Sequence, residues 1–157
     1  MNDTARDQVL TLLGLLIQER TGLHHPTRDR DLFAFKVAGH ADEHGFESLL
    51  DYYYALRYDD PDSVRTNALI DALVVGETYF FREPAGLERI VEHVAERDRP
   101  CRVWSAACAT GEEPLSLAIL LARRGILDRV EIVATDLSQR QLARARNGEH
   151  TRRARAS

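Results

Sequence analysis

Arg102-Val103-Trp104-Ser105-Ala106-Ala107-Cys108-Ala109-Thr110-Gly111-Glu112-Glu113-Pro114-Leu115-Ser116-Leu117-Ala118-Ile119-Leu120-Leu121 reads as a short apolar strand, a turn of small residues and a helix. The helix carries Pro at an early position, where no backbone N–H is required. A strand that ends in small residues and feeds a helix is where an α/β sheet brings its backbone against a ligand, because no side chain stands in the way. The reading predicts a nucleotide-like cofactor held by the turn from Ala107 to Gly111.

Moving outward, Val130-Glu131-Ile132-Val133-Ala134-Thr135-Asp136 reads as a second buried strand that ends in an acid. An acid at the tip of the second strand of a βαβ unit accepts hydrogen bonds from both ribose hydroxyls of an adenosine. Asp136 follows Gly111 by 136 − 111 = 25 positions, close to the expected separation of about 20. It could instead cap the helix that follows, although Ser138 is placed for that role. The turn lacks the glycines of GxGxxG, having Ala107 and Ala109 instead, so close approach by a pyrophosphate is disfavoured. A cofactor without phosphates fits better, and S-adenosylmethionine is the expected one.

The totals bound the answer. A chain of 157 residues with 44% hydrophobic composition fits one ordinary domain or two small ones. A net charge of −4 gives no whole-chain reason to expect nucleic acid. There is no apolar run of about 18 residues and no basic-then-apolar leader, so neither a membrane span nor a signal peptide is expected and the protein is predicted to be cytoplasmic. Cys101 and Cys108 are two thiols near one strand, predicted to be reduced.

The first 75 residues read as four helices. Val9, Leu10, Leu12, Leu13, Leu16 and Ile17 recur at helical spacing from Asp3 to Arg20, with Gly22 placed to end the run. A Pro26-Thr27 turn leads to a less regular helix over Asp29–Ala38, bracketed by Gly39 and Gly45. Phe46 to Tyr58 forms a third, and Pro61 with Ser63 starts a fourth that runs to about Val75. Pro84 then opens a helix striped by Leu87, Ile90, Val91 and Val94, before the first strand at about 101–107 and the second at about 130–135. A last helix is expected from Ser138 toward Gly148. Strand, helix, strand, helix argues for a parallel sheet.

Three segments carry a family resemblance. Gly76-Glu77-Thr78-Tyr79-Phe80-Phe81-Arg82-Glu83-Pro84, the run from Val103 to Pro114 and Ala134-Thr135-Asp136-Leu137-Ser138 resemble the successive cofactor motifs of the CheR family. Its members are S-adenosylmethionine-dependent methyltransferases that esterify glutamates of chemotaxis receptors. The resemblance implies that Thr78 and Arg82 sit against the cofactor, Arg82 also being the candidate catalytic residue that orients the reacting groups. It implies too that Glu113, the acid directly before Pro114, binds the cationic amino end of the methionine moiety. Without the resemblance, Glu112 and Glu113 are simply acids at a helix start, where the dipole favours them. The family often has Asn where this chain has Gly76.

The fold class expected is α + α/β: a small N-terminal helical bundle over 1–75, then a partial Rossmann-like methyltransferase sheet over 76–157. A complete sheet of this kind has roughly seven strands, and two are legible, so the chain is expected to be the N-terminal domain plus the first half of a catalytic domain, with an apolar edge on the first strand. The acceptor implied is a chemoreceptor or other signalling protein. A rival is a non-catalytic module that pairs as a homodimer through the incomplete sheet. A nicotinamide-dependent dehydrogenase is a third reading, against which the missing GxGxxG weighs.

Other features have blander readings. His40-Ala41-Asp42-Glu43-His44 matches HxxEH, but no third ligand is in view and no metal is predicted. His24-His25 reads as an exposed turn, and Trp104 reads as core. Arg140, Arg144, Arg146, Arg152, Arg153 and Arg155 read as a solvated helix face and tail rather than a nucleic-acid surface. Arg28, Arg30 and Lys36 are too few to make a basic receptor-docking surface on the N-terminal domain.

Overall fold

The computed structural model describes residues 3–24 and 29–150. His25, the Pro26-Thr27 turn, Arg28 and the arginines beyond 150 lie outside the described residues. The chain divides into two compact units, Met1–Val74 and Val75–Ser157.

The first unit holds helices α1 (Asp3–Thr21), α2 (Arg30–Glu43), α3 (Leu49–Tyr58) and α4 (Val64–Leu73). Leu13, Ile17, Val37, Leu56 and Leu69 are fully removed from solvent at its centre, each contributing about 1.5–3 kcal/mol of transfer free energy. Gly22 closes α1 at φ 74, its N–H donating to Gln18 O at 2.8 Å. Helix α2 is longer than the pattern predicted and runs straight through Gly39. Its buried stripe of Phe33, Val37, His40 and Ala41 extends the packing past the glycine and offsets that residue's low propensity. Helix α3 starts at Leu49 rather than Phe46, because the Ser48 hydroxyl accepts from the N–H groups of Leu50 and Asp51 and so fixes the start. Ser63 precedes α4 as expected, but at φ 57 and without a side-chain cap bond. Asp60 does the capping instead, accepting from Arg65 N at 3.1 Å, Thr66 N at 2.8 Å and Thr66 Oγ1 at 2.7 Å.

HxxEH has a structural explanation. His40 is buried, its Nδ1 lies 2.7 Å from the Tyr52 hydroxyl, and His44 stacks on it at 4.1 Å between ring centroids while bonding through its own Nδ1 to His40 O. Among the described residues no group of three or more His, Cys, Asp or Glu is placed to hold a metal ion.

The second unit runs α5 (Pro84–Ala95), β1 (Cys101–Ala106), α6 (Glu112–Arg123), a 3₁₀ turn (Leu127–Arg129), β2 (Val130–Thr135) and α7 (Gln139–Arg146). The strands pair in parallel from Cys101↔Val130 to Ala106↔Thr135, as the alternation of elements requires. Leu87, Val91 and Val94 of α5 pack with Leu117 and Leu121 of α6 and with Val103 and Ile132 of the sheet. Two expectations are corrected. Ile90 turns partly to solvent, at 37% exposed. Trp104, expected in the core, is 68% exposed, because period-two alternation puts Val103 and Ser105 on the packed face and Arg102 and Trp104 on the other. Its indole N–H donates to Thr135 Oγ1 at 2.9 Å, and beside it Arg102 pairs with Glu131 at 2.7 Å.

Candidate functional site

Three segments meet beyond the carboxyl ends of β1 and β2. After Ala106 the chain turns through Ala107 (φ 61), Ala109 (φ 47) and Gly111 (φ 91). Alanine in the left-handed region is strained by about 1–2 kcal/mol per residue; such strain persists where surrounding bonds over-determine the backbone, and it gathers at functional sites. Here Cys108 N donates to Thr135 O at 3.0 Å and Ala109 N to Asp136 Oδ2 at 2.8 Å, so the turn is tied to the end of β2. A Cβ on Gly111 would stand 3.3 Å from Ala145 Cβ, which together with its φ explains glycine there.

Asp136 joins both crossovers. Its Oδ1 accepts from Ser138 N at 2.8 Å, while Ser138 Oγ caps α7 by accepting from Gln141 N at 3.0 Å. Ser138 is therefore the side-chain cap of α7. Each carboxylate oxygen accepts one backbone N–H and keeps a second lone pair for a ligand.

Glu112 and Glu113 separate by environment. Glu112 is wholly buried, receives the Thr110 hydroxyl at 2.6 Å, and through its carbonyl receives the Ser116 hydroxyl at 2.5 Å. Glu113 is exposed, with Oε1 held at 2.6 Å by the hydroxyl of Ser105. Ser105, on the packed face of β1, is a residue that sequence reasoning missed; alternation along the strand was the available signal.

The third segment is pinned to the same place. Phe81 N donates to Ser116 Oγ at 2.9 Å, with Phe81 at φ 58 and Glu83 at φ 52. The Phe80 ring meets the edge of His150 at 5.4 Å, and His150 Nδ1–H donates to Thr110 O at 3.0 Å. Ser116 and His150 were also invisible as site residues, because their partners lie 35 and 40 positions away. Thr78 is half-buried in this segment. Arg82 is exposed, donates to Glu77 O at 3.1 Å and lies 5.9 Å above the Tyr79 ring. No hydrogen bond or ion pair joins Thr78 or Arg82 to Glu113 or Asp136.

Burial pushes the Cys108 thiol up, and the nearby carboxylates of Asp136, Glu113 and Glu112 push the same way. This favours the thiol over the thiolate at neutral pH. What the site offers is a small-residue turn flanked by two anchored carboxylates, a set of hydrogen-bond acceptors suited to a ligand with a cationic amine and vicinal hydroxyls. That set fits S-adenosylmethionine.

A family model described as the CheR methyltransferase S-adenosylmethionine-binding domain matches residues 76–156. Chemotaxis protein methyltransferase 2 of Vibrio cholerae is 40% identical over 111 residues, covering 65% of this chain and 38% of the relative. The chemotaxis protein methyltransferases of Salmonella typhimurium and Escherichia coli are 34% and 31% identical, each over 135 residues and 85% of this chain. The chain spans less than half the length of these relatives: 46% and 47% of the last two. Among the described residues no helix is long and apolar enough to cross a membrane.

Proposed function

The chain belongs to the CheR methyltransferase family, and on that premise we propose that it serves the S-adenosylmethionine-dependent methylation of glutamate side chains on a chemoreceptor or other signalling protein in the cytoplasm. Residues 1–75 are then a helical domain, and 76–157 the first half of the cofactor-binding domain. The observation that carries the reading is the placement of Glu113 and Asp136 on either side of the Ala107–Gly111 turn, each held by a neighbour, Ser105 and Ala109 N–H respectively.

When bound, S-adenosylmethionine supplies a methyl group on a sulfonium to a carboxylate that is already ionised at pH 7, so no strong general base is required. The chain's own residues bind and orient. Asp136 accepts from ribose hydroxyls with the lone pairs its backbone donors leave. Glu113 receives the cationic amine, and the turn lets backbone rather than side chain face the ligand. Thr78 flanks the cofactor. Arg82, which commits one N–H to Glu77 O, keeps donors for a carboxylate.

The test is calorimetric titration of S-adenosylhomocysteine into the 157-residue chain and its Asp136→Ala and Glu113→Ala variants. Affinity lower by about 1–3 kcal/mol in each variant, the usual cost of a lost charge-assisted hydrogen bond, supports the reading. A folded chain that takes up no ligand, or variants that bind like the parent, overturns it for this chain.

One observation favours a second reading, a non-catalytic module that pairs with a second copy. Trp104 is 68% exposed on a sheet of two strands in which β1 has β2 as its one described neighbour, and unpaired strand edges recruit partners. Light scattering that gives a dimer, reverting to monomer on Trp104→Lys, supports it; a monomer in the parent rules it out.

A further inference from the structure

Gln141 occupies the first turn of α7 and is 8% exposed, an unusual degree of burial for an amide. Its side chain lies against the bare backbone of Gly76. A Cβ built on Gly76 would fall 2.0 Å from Gln141 Nε2 and 2.6 Å from its Cδ, so the carboxamide fills the space that any side chain at position 76 would need. The Gly76 φ is not left-handed, so what demands glycine there is the amide. Yet Gln141 Oε1 is buried with no hydrogen-bond partner, a state that costs about 1–3 kcal/mol. A methionine would fill similar volume without that cost.

The orphaned acceptor sits between the two segments that the proposed function assigns to the cofactor: Gly76 is two residues before Thr78, and Gln141 five after Asp136. We propose that Gln141 is a further cofactor-binding residue of this site, its carboxamide accepting a hydrogen bond from the S-adenosyl ligand. The inference rests on the function proposed above. The three rotatable bonds of the side chain let the amide turn toward the ligand, and Gly76 is the residue that makes room for it.

The test pairs two measurements on the parent chain, Gln141→Met and Gly76→Ala: thermal unfolding without ligand, and titration with S-adenosylhomocysteine. Gln141→Met is expected to unfold at the same or a higher temperature, because it removes an unsatisfied buried group, and to bind five- to ten-fold more weakly. Gly76→Ala, which displaces the amide, is expected to weaken binding by a similar factor. Parent-like affinity in Gln141→Met overturns the proposal. So does a fall in its unfolding temperature alongside the affinity loss, since the amide would then be a structural prop. If the parent itself takes up no ligand, the functional reading fails and this inference with it, an outcome distinct from a binding parent with an indifferent Gln141→Met.

Discussion

The hydroxyl of Ser105 reaches across from β1 to donate to Oε1 of Glu113 in the first turn of α6, at 2.6 Å. It fixes the carboxylate that the proposed function assigns to the cofactor's amine, while Ser105 itself stays buried. Ser105→Ala is expected to weaken S-adenosylhomocysteine binding by roughly three- to ten-fold, about 1 kcal/mol for one such bond. In a double-mutant cycle the loss should vanish when Glu113 is already Ala. Additive losses measured by calorimetry would show that Ser105 acts elsewhere.

The turn makes opposite demands at neighbouring positions. Gly111→Ala introduces a Cβ at φ 91 and 3.3 Å from Ala145 and is expected to destabilise by about 1–2 kcal/mol. Ala109→Gly, at φ 47, relieves left-handed strain and is expected to be neutral or to stabilise by up to about 1 kcal/mol, the entropy of the unfolded glycine offsetting part of the gain. Urea denaturation of both variants checks the contrast.

Asp60 does for α4 what Ser63 does not. Asp60→Ala removes an acceptor for two backbone N–H groups and the Thr66 hydroxyl, with an expected loss of about 1–2 kcal/mol. Ser63→Ala should cost far less. Equal costs in chemical denaturation would reject this assignment of the cap.

Acid should weaken the helical unit in two stages. Burial first, then the adjacent His44, holds the His40 imidazolium below its usual range, with Glu43 pulling the other way, so the folded state refuses a proton that the unfolded chain accepts. The stability this contributes is fully present above about pH 6.5 and is lost as pH falls through the lower folded value. Asp60 follows further down: burial raises its pKa, but the bonds from Thr66 and Arg65 outweigh that and leave it lowered. Its contribution is present above about pH 4 and lost as pH falls through the folded value. Melting temperatures by circular dichroism between pH 8 and pH 3 should show both phases. His40→Phe should abolish the upper one, and an upper phase that survives this change would assign it to another group.

Much of the second unit was legible because its signals are local. The apolar run of β1, the small residues after it, Ser138 as a cap and an acid ending β2 each depend on backbone geometry within a few residues. Their order along the chain therefore predicts parallel strands and a turn between them. Helix boundaries slipped where a cap or a buried stripe decided, as at Ser48 and across Gly39, and Trp104 was misread because hydrophobicity was weighed over strand alternation.

The sequence by itself determined the element order, the parallel pairing and the acid Asp136 at the end of β2, since periodicity and turn chemistry are written in adjacent residues; Glu113 was singled out from Glu112 by the family resemblance alone. Only the tertiary structure decided which of the two glutamates is buried, that Ser105 and the Ala109 N–H hold the carboxylates, and that Gln141 lies against Gly76. These depend on side chains meeting side chains or backbone from positions 8, 27 and 65 apart. Such contacts exist only once the strands and helices have packed, because no local propensity encodes which distant residue will fill a given space.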